Sequence, residues 1–251
     1  MRKIVAIGGG ELSQKETFPI DQEIVRLTEK ENPNALFIPT ASSDSQEACD
    51  AFDRIYGKAL GCNVDHLFLI KEEPSLQEIA AKVDWADLVY ASGGNTLRMM
   101  RKWRFTGLNK VLLKAQNQGK ILSGLNAGAL CWFDYGHSDS LAFYNEEGGG
   151  SDWDYIRVKC LGFVDKIMLC PHFDSENRLD HVIDMIKKKG GIGIGLDDHC
   201  AIQIVDDTYR VLAARKEANA HKVFKQGKYL RHVVLPKQKA FRPIFELLRK
   251  A

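Results

Sequence analysis

The chain has 251 residues, 45% of them apolar and 27% charged. That describes a soluble globular protein long enough to bury a core without disulfide or metal staples. Thirty-five Lys and Arg against 33 Asp and Glu leave a formal charge of +2, too weak a basic field for non-specific binding to nucleic acid or a membrane surface.

No apolar run reaches the length of a membrane span, because charged residues interrupt each one. The N-terminal MRKIVAIGGGEL has a basic start, but its apolar run is too short for a secretory leader and reads as a first strand. A cytoplasmic protein is expected.

KIVAIG (3–8) is the first predicted strand, and it ends in the triple glycine Gly8, Gly9 and Gly10. Helical spacing follows over about 20–30, then the strand ALFIPT (35–40), stopped by Pro39, and a helix from Asp44 to Leu60. VDHLFLI (64–70) is a third strand, and Pro74 and Ser75 start a short helix. DLVYASGG (87–94) is a fourth strand, two helices occupy about 95–103 and 107–118, and KILSGL (120–125) leads into small residues and a further helix. Near-continuously apolar strands separated by helix-length segments predict a doubly wound, mostly parallel α/β sheet with helices on both faces.

Beyond residue 150 the pattern changes. YIRVKCLGFV, KIMLC, GIGIGL, CAIQIV, YRVLAA and HKVFKQGKYL read as short strands joined by tight turns, expected as hairpins or meanders added to that sheet. No Gly-, Ser- or Pro-rich linker, repeat or low-complexity run divides the chain, so one domain over 1–251 is expected. The six cysteines show no C-x-x-C spacing and sit mainly in apolar runs, which predicts reduced core thiols. Cys170 and His172 share a strand face, but no further ligands complete a metal site.

Ligand and catalytic groups of doubly wound sheets gather at the carboxyl ends of strands, and four such ends carry unusual residues. Gly8-Gly9-Gly10-Glu11 is a weak dinucleotide signature, because Ser13 replaces the third glycine; a tight turn bringing backbone close to a neighbour is preferred. Ser92-Gly93-Gly94-Asn95-Thr96 opens a helix with backbone N–H groups suited to an oxyanion. Gly124-Leu125-Asn126-Ala127-Gly128-Ala129 has the spacing of a nucleophile elbow between a strand and a helix. Its small flanking residues permit the close backbone approach an elbow needs, and Asn tolerates positive φ. A carboxamide, however, has no ionisable proton for a base to remove. Pro171-His172-Phe173 follows a strand and offers a general base, with Asp139, Asp197 and Asp198 as acids that would orient it.

The runs SGGNTLRMM, GLNAGALCWFDYGHSDS, CLGF and CPHF, in this order, resemble the peptidase E family, which includes aspartyl dipeptidases and cyanophycinases. The resemblance extends from IVAIGGGEL to GIGIGLDDHCAIQI, most of the chain. The family's elbow reads G-x-S-A-G-A, and this chain departs from it only at the nucleophile. The resemblance implies a serine hydrolase on a flavodoxin-like fold related to class I glutamine amidotransferases, with no metal or cofactor. By position, Asn126 holds the nucleophile site, His172 the general base and Asp139 the orienting acid, with Asp198 as the alternative. Backbone N–H groups of Gly94 or Gly93 and of Ala127 would form the oxyanion hole, and Asn95 and Thr96 would line the cleft. Family substrates carry a carboxylate beside the scissile bond, and Arg178 is the implied partner for a small acidic peptide.

Two functions remain open at this point. One is a peptidase E-like hydrolase impaired because Asn stands where Ser is expected, a single-base codon change. The other is a pseudoenzyme that binds an acidic peptide or another ligand in the retained cleft. Cys131 as a substitute nucleophile is disfavoured, because it lies five residues past the elbow in the following helix. A monomer or homodimer is expected, without nucleic-acid or membrane partners.

Overall fold

The computed structural model describes residues 2–144 and 155–250. In chain order its elements are β1 (Lys3–Ile7), α1 (Phe18–Arg26), β2 (Asn34–Ile38), α2 (Gln46–Phe52), β3 (Asn63–His66), α3 (Leu76–Trp85), β4 (Leu88–Ala91), α4 (Thr96–Thr106), α5 (Leu108–Asn117), β5 (Ile121–Leu125) and α6 (Ala127–Leu130). There follow β6 (Phe133–Ser138), β7 (Ile156–Lys159), β8 (Val164–Cys170), α7 (Leu179–Lys189), β9 (Ile192–Leu196), β10 (Cys200–Val205), β11 (Thr208–Ala213), β12 (Ala220–Gln226), β13 (Tyr229–Leu235), β14 (Arg242–Pro243) and α8 (Phe245–Leu248). Among these residues no helix is long and apolar enough to cross a membrane.

The first half follows the sequence pattern closely. β1, β5, β4, β2 and β3 lie side by side in parallel register. Alternation along each strand sends side chains to opposite faces. Val5, Ile7, Ala35 and Phe37 enter one core, while Ile4, Ala6, Leu36 and Ile38 enter the other, so helices cover both sides. Ser75 caps α3 through a reciprocal box with Glu78, as a Ser three residues ahead of Glu predicts. The predicted third strand is shorter than expected. β3 stops at His66, and the backbone N–H groups of Leu69, Ile70 and Lys71 turn to the buried carboxylate of Asp44 at 2.9, 2.6 and 3.0 Å.

The later strands depart from the expectation of simple additions. β10, β11 and β14 do extend the first sheet, antiparallel, to eight strands. The others build a second sheet in the order β13-β12-β9-β8-β6-β7, whose centre β6, β8 and β9 is itself parallel. β6 and α7 had no clear sequence signal: β6 contains Asp134, Gly136 and His137, and α7 starts beside a buried arginine. One continuous core packs residues of both sheets, including Leu36, Leu122, Trp132, Leu169 and Ile194. The six cysteines are free and buried in these cores.

The turn Asp197–His199 carries the chain from β9 in the second sheet to β10 in the first. It is therefore the seam between the sheets. Gly8 N–H donates to the Cys200 carbonyl and His199 N–H to the Gly9 carbonyl, so the end of β1 is stitched to that seam.

Candidate active site

The elbow forms where the sequence placed it. Asn126 follows β5 with φ 54° and ψ −112°, and α6 begins at Ala127. This is a strained conformation for a residue with a side chain, held here by its surroundings. Asn126 N–H donates to the Ile7 carbonyl at 3.1 Å, and its own carbonyl accepts from Ala129 and Leu130. The small neighbours are required by contact: a Cβ on Gly128 would lie 2.0 Å from the Ala91 carbonyl oxygen of β4. Cys131 is fully buried, and burial pushes its thiol well above the ordinary value, so it offers no alternative nucleophile.

Opposite the elbow stands His172, two residues past β8, with φ 48°. Its Nδ1 lies 2.6 Å from Asp198 Oδ1. The hydrogen bond from His172 holds the Asp198 carboxyl below the usual carboxylate range. With Nδ1–H donated to the carboxylate, Nε2 is left as the nitrogen able to take a proton. The pair lies directly on Gly9, where a Cβ would come 1.8 Å from Asp198 Oδ1 and 2.6 Å from His172 Nδ1. The glycine run thus serves close approach, and what it admits is the histidine–carboxylate pair.

Four of the expected site residues take different places. Asp139 is not on the histidine: its carboxylate faces Arg178 Nη2 at 3.5 Å, and the second expected acid, Asp198, holds His172. Arg178 is fully buried, donates through Nε and Nη2 to Glu176 Oε2 at 2.9 and 2.5 Å, and lies over the Tyr155 ring. A guanidinium enclosed by two carboxylates has no face left for a substrate carboxylate. Asn95 and Thr96 are also buried rather than cleft-lining. Asn95 caps α4 by accepting from Arg98 N–H at 2.9 Å, and Thr96 Oγ1 accepts from Ser138 at 3.1 Å. Short polar side chains at a helix start are used first by the helix itself.

Asn126, His172, Gly93 and Gly94 line one cleft of about 310 Å³. Gly93 packs against the elbow, its Cβ position 3.3 Å from Asn126 Cβ. Gly94 has φ 124°, and the following Asn95 N–H donates to the Ala41 carbonyl, which docks the loop after β2 onto this turn. Sequence reasoning did not foresee the floor of the cleft. It is aromatic, with Phe37 and Tyr90 backed by stacked Phe52 and Tyr56 at centroid distances of 4.6 and 4.3 Å. Beneath it Asp21 accepts from Thr17 and Tyr56, both at 2.8 Å, and burial raises its carboxyl to about 7. The available signal was position: Phe37 and Tyr90 each lie near the carboxyl end of a parallel strand.

Known proteins share this sequence pattern and fold. The model of peptidase family S51 matches residues 4–212. An uncharacterised peptidase of Bacillus subtilis, YgaJ, is 31% identical over 240 residues, covering 94% of this chain and 98% of that protein. The crystal structure of a peptidase from an acI-B1 actinobacterium superposes with a TM-score of 0.68 at 19% identity, covering 97% of both chains. A structure from Listeria monocytogenes EGD-e, described as a candidate peptidase E protein, gives 0.64 at 20% identity over 85% of this chain and 98% of that one.

Proposed function

We propose that this chain, which belongs to peptidase family S51, holds a peptide in a hydrolase cleft and carries out little or no acyl-enzyme turnover with Asn at position 126. The observation that carries the reading is Asn126 in elbow geometry on the same cleft as the His172–Asp198 pair. All 251 residues are taken as one domain acting in the cytoplasm as a monomer or homodimer.

The roles follow from the chemistry of the groups. With serine at 126, His172 Nε2 would take the hydroxyl proton as the oxygen attacks the peptide carbonyl. Asp198 would keep the imidazole in the correct tautomer and stabilise its cation. Backbone N–H groups of Ala127 and of Gly94 or Gly93 would receive the oxyanion. His172 would then protonate the leaving amine, and water would release the acyl group. Asn126 blocks the first of these steps, since its carboxamide supplies no removable proton and no oxygen nucleophile. Loss of a nucleophile from such a triad removes about six powers of ten in turnover.

The test is Asn126→Ser, followed by intact-mass analysis after a serine-directed fluorophosphonate and by a dipeptide hydrolysis screen. A single adduct at residue 126 with new peptidase activity supports the reading. An unlabelled and inactive revertant that remains folded overturns the hydrolase assignment.

A further inference from the structure

Which side chain the cleft accepts is written in its walls, and the argument rests on the hydrolase-cleft reading above. The cleft that Asn126 and His172 line is otherwise walled mainly by apolar groups, Leu12, Phe37, Ala48, Ala51, Tyr90 and Leu125, with the small hydroxyls of Ser42 and Ser92 beside them. Two alanines on α2 keep that side small, while Phe52 and Tyr56 pack against Phe37 and Tyr90 and fix those rings in place. Among the described lining residues there is no Lys or Arg, and Glu11 carries the one carboxylate.

Two arginines that could supply a positive charge do not line the cleft. Arg178 is enclosed by Glu176 and Asp139, and Arg98 Nη2 donates to the Ala41 carbonyl at 3.2 Å. An acidic side chain entering here would lose hydration against aromatic carbon and face Glu11, with no Lys or Arg among the described lining residues to offset it. The buried Tyr90 hydroxyl, which has no hydrogen-bond partner among the described residues, can donate one bond but supplies no positive charge. An apolar side chain of leucine or phenylalanine size gains from the same surface.

We propose that the cleft selects peptides with a neutral apolar or aromatic side chain beside the scissile bond, in place of the acidic side chain that the family resemblance implies.

The probes are dipeptide amides that differ only in one residue (Phe, Leu, Asp or Arg), titrated calorimetrically into the Asn126 protein. Phe and Leu peptides are expected to bind about tenfold or more tightly than the Asp peptide. Ala48→Arg, which adds a cation to the wall, is expected to weaken Phe binding and strengthen Asp binding by about tenfold, with the melting temperature checked for folding. Tighter binding of the Asp peptide by the unmodified protein, or equal binding of all four, overturns the inference.

The same panel is then offered to Asn126→Ser. If the revertant hydrolyses the Asp peptide best, the side-chain inference falls and the hydrolase reading stands. If it hydrolyses none while the Asn126 protein still prefers Phe and Leu, the hydrolase reading falls and the side-chain inference stands.

Discussion

His137 lies in β6 and His172 two residues past β8, the neighbouring parallel strand of the smaller sheet, and both have acidic residues close by in sequence. His137 is fully buried, with Nδ1 3.5 Å from the Cys170 thiol and its ring stacked on Tyr155. Burial, with Arg178 and His181 nearby, drives its pKa down to about 3. The segment around it braces the fold: Ser138 and Ser140 hydrogen-bond to the first residues of α4, and the backbone carbonyl of His137 accepts from Arg178. His172 instead opens onto the cleft, with a carboxylate on one nitrogen. A histidine becomes useful for proton transfer when one nitrogen is fixed and the other reaches a ligand. Burial alone yields a neutral strut.

That contrast can be broken most forcefully at His172. In the Asn126→Ser background, His172→Ala is expected to lower kcat by about 10⁶, whereas His137→Gln should change stability and leave kcat of the folded fraction unaltered. Equal losses in kcat would erase the distinction between the two histidines.

The next largest effect separates the acids. Asp198→Asn in the same background should lower kcat by about 10⁴ through loss of the correct tautomer, and Asp139→Asn should not. A steady-state comparison in which Asp139→Asn is the more damaging would show that the observed pairing does not set the chemistry.

Arg178 then distinguishes bracing from recognition. Arg178→Met leaves the partly exposed Glu176 and Asp139 without their cation and the His137 carbonyl without its donor, and is expected to destabilise the fold by about 1–3 kcal/mol in denaturant titrations. KM for peptides should not change. A raised KM at unchanged stability would return Arg178 to substrate binding.

The smallest effect is a pH dependence. His137 has a folded pKa below the ordinary value of 6.5, so the unfolded chain binds more protons between about 3 and 6.5. Its contribution is complete above pH 6.5 and is lost as pH falls through that window, about 1–2 kcal/mol by pH 5. His137→Gln should flatten this part of the stability profile. An unchanged slope would mean that His137 is not held neutral.

Much of this was legible in the chain. The elbow, the glycine turns and His172 were each marked by residue type at a strand end, because backbone conformation and close approach restrict which residues fit. The choice between Asp139 and Asp198 was not. β8 is flanked by β6 on one side and β9 on the other, so the two acids reach its carboxyl edge from opposite directions. Only the folded register decides that Asp198 meets the imidazole and Asp139 the guanidinium. The second sheet was hidden for a related reason: β10 returns to β1 while β9 pairs with β8, and strand-like spacing does not say which sheet a strand joins. Arg178 was misplaced because a cation near a histidine in sequence carries no information on whether it is enclosed by carboxylates.

The central claim is that a complete hydrolase frame surrounds a residue unable to start the reaction. It is tested most directly by measuring kcat/KM for peptide hydrolysis by the Asn126 protein and by Asn126→Ser under identical conditions. The account predicts turnover in the serine form at least about 10⁴ above that of the asparagine form, with an initial burst of product as the acyl-enzyme accumulates. Equal turnover by the two forms would contradict it, because the reaction would then not pass through residue 126.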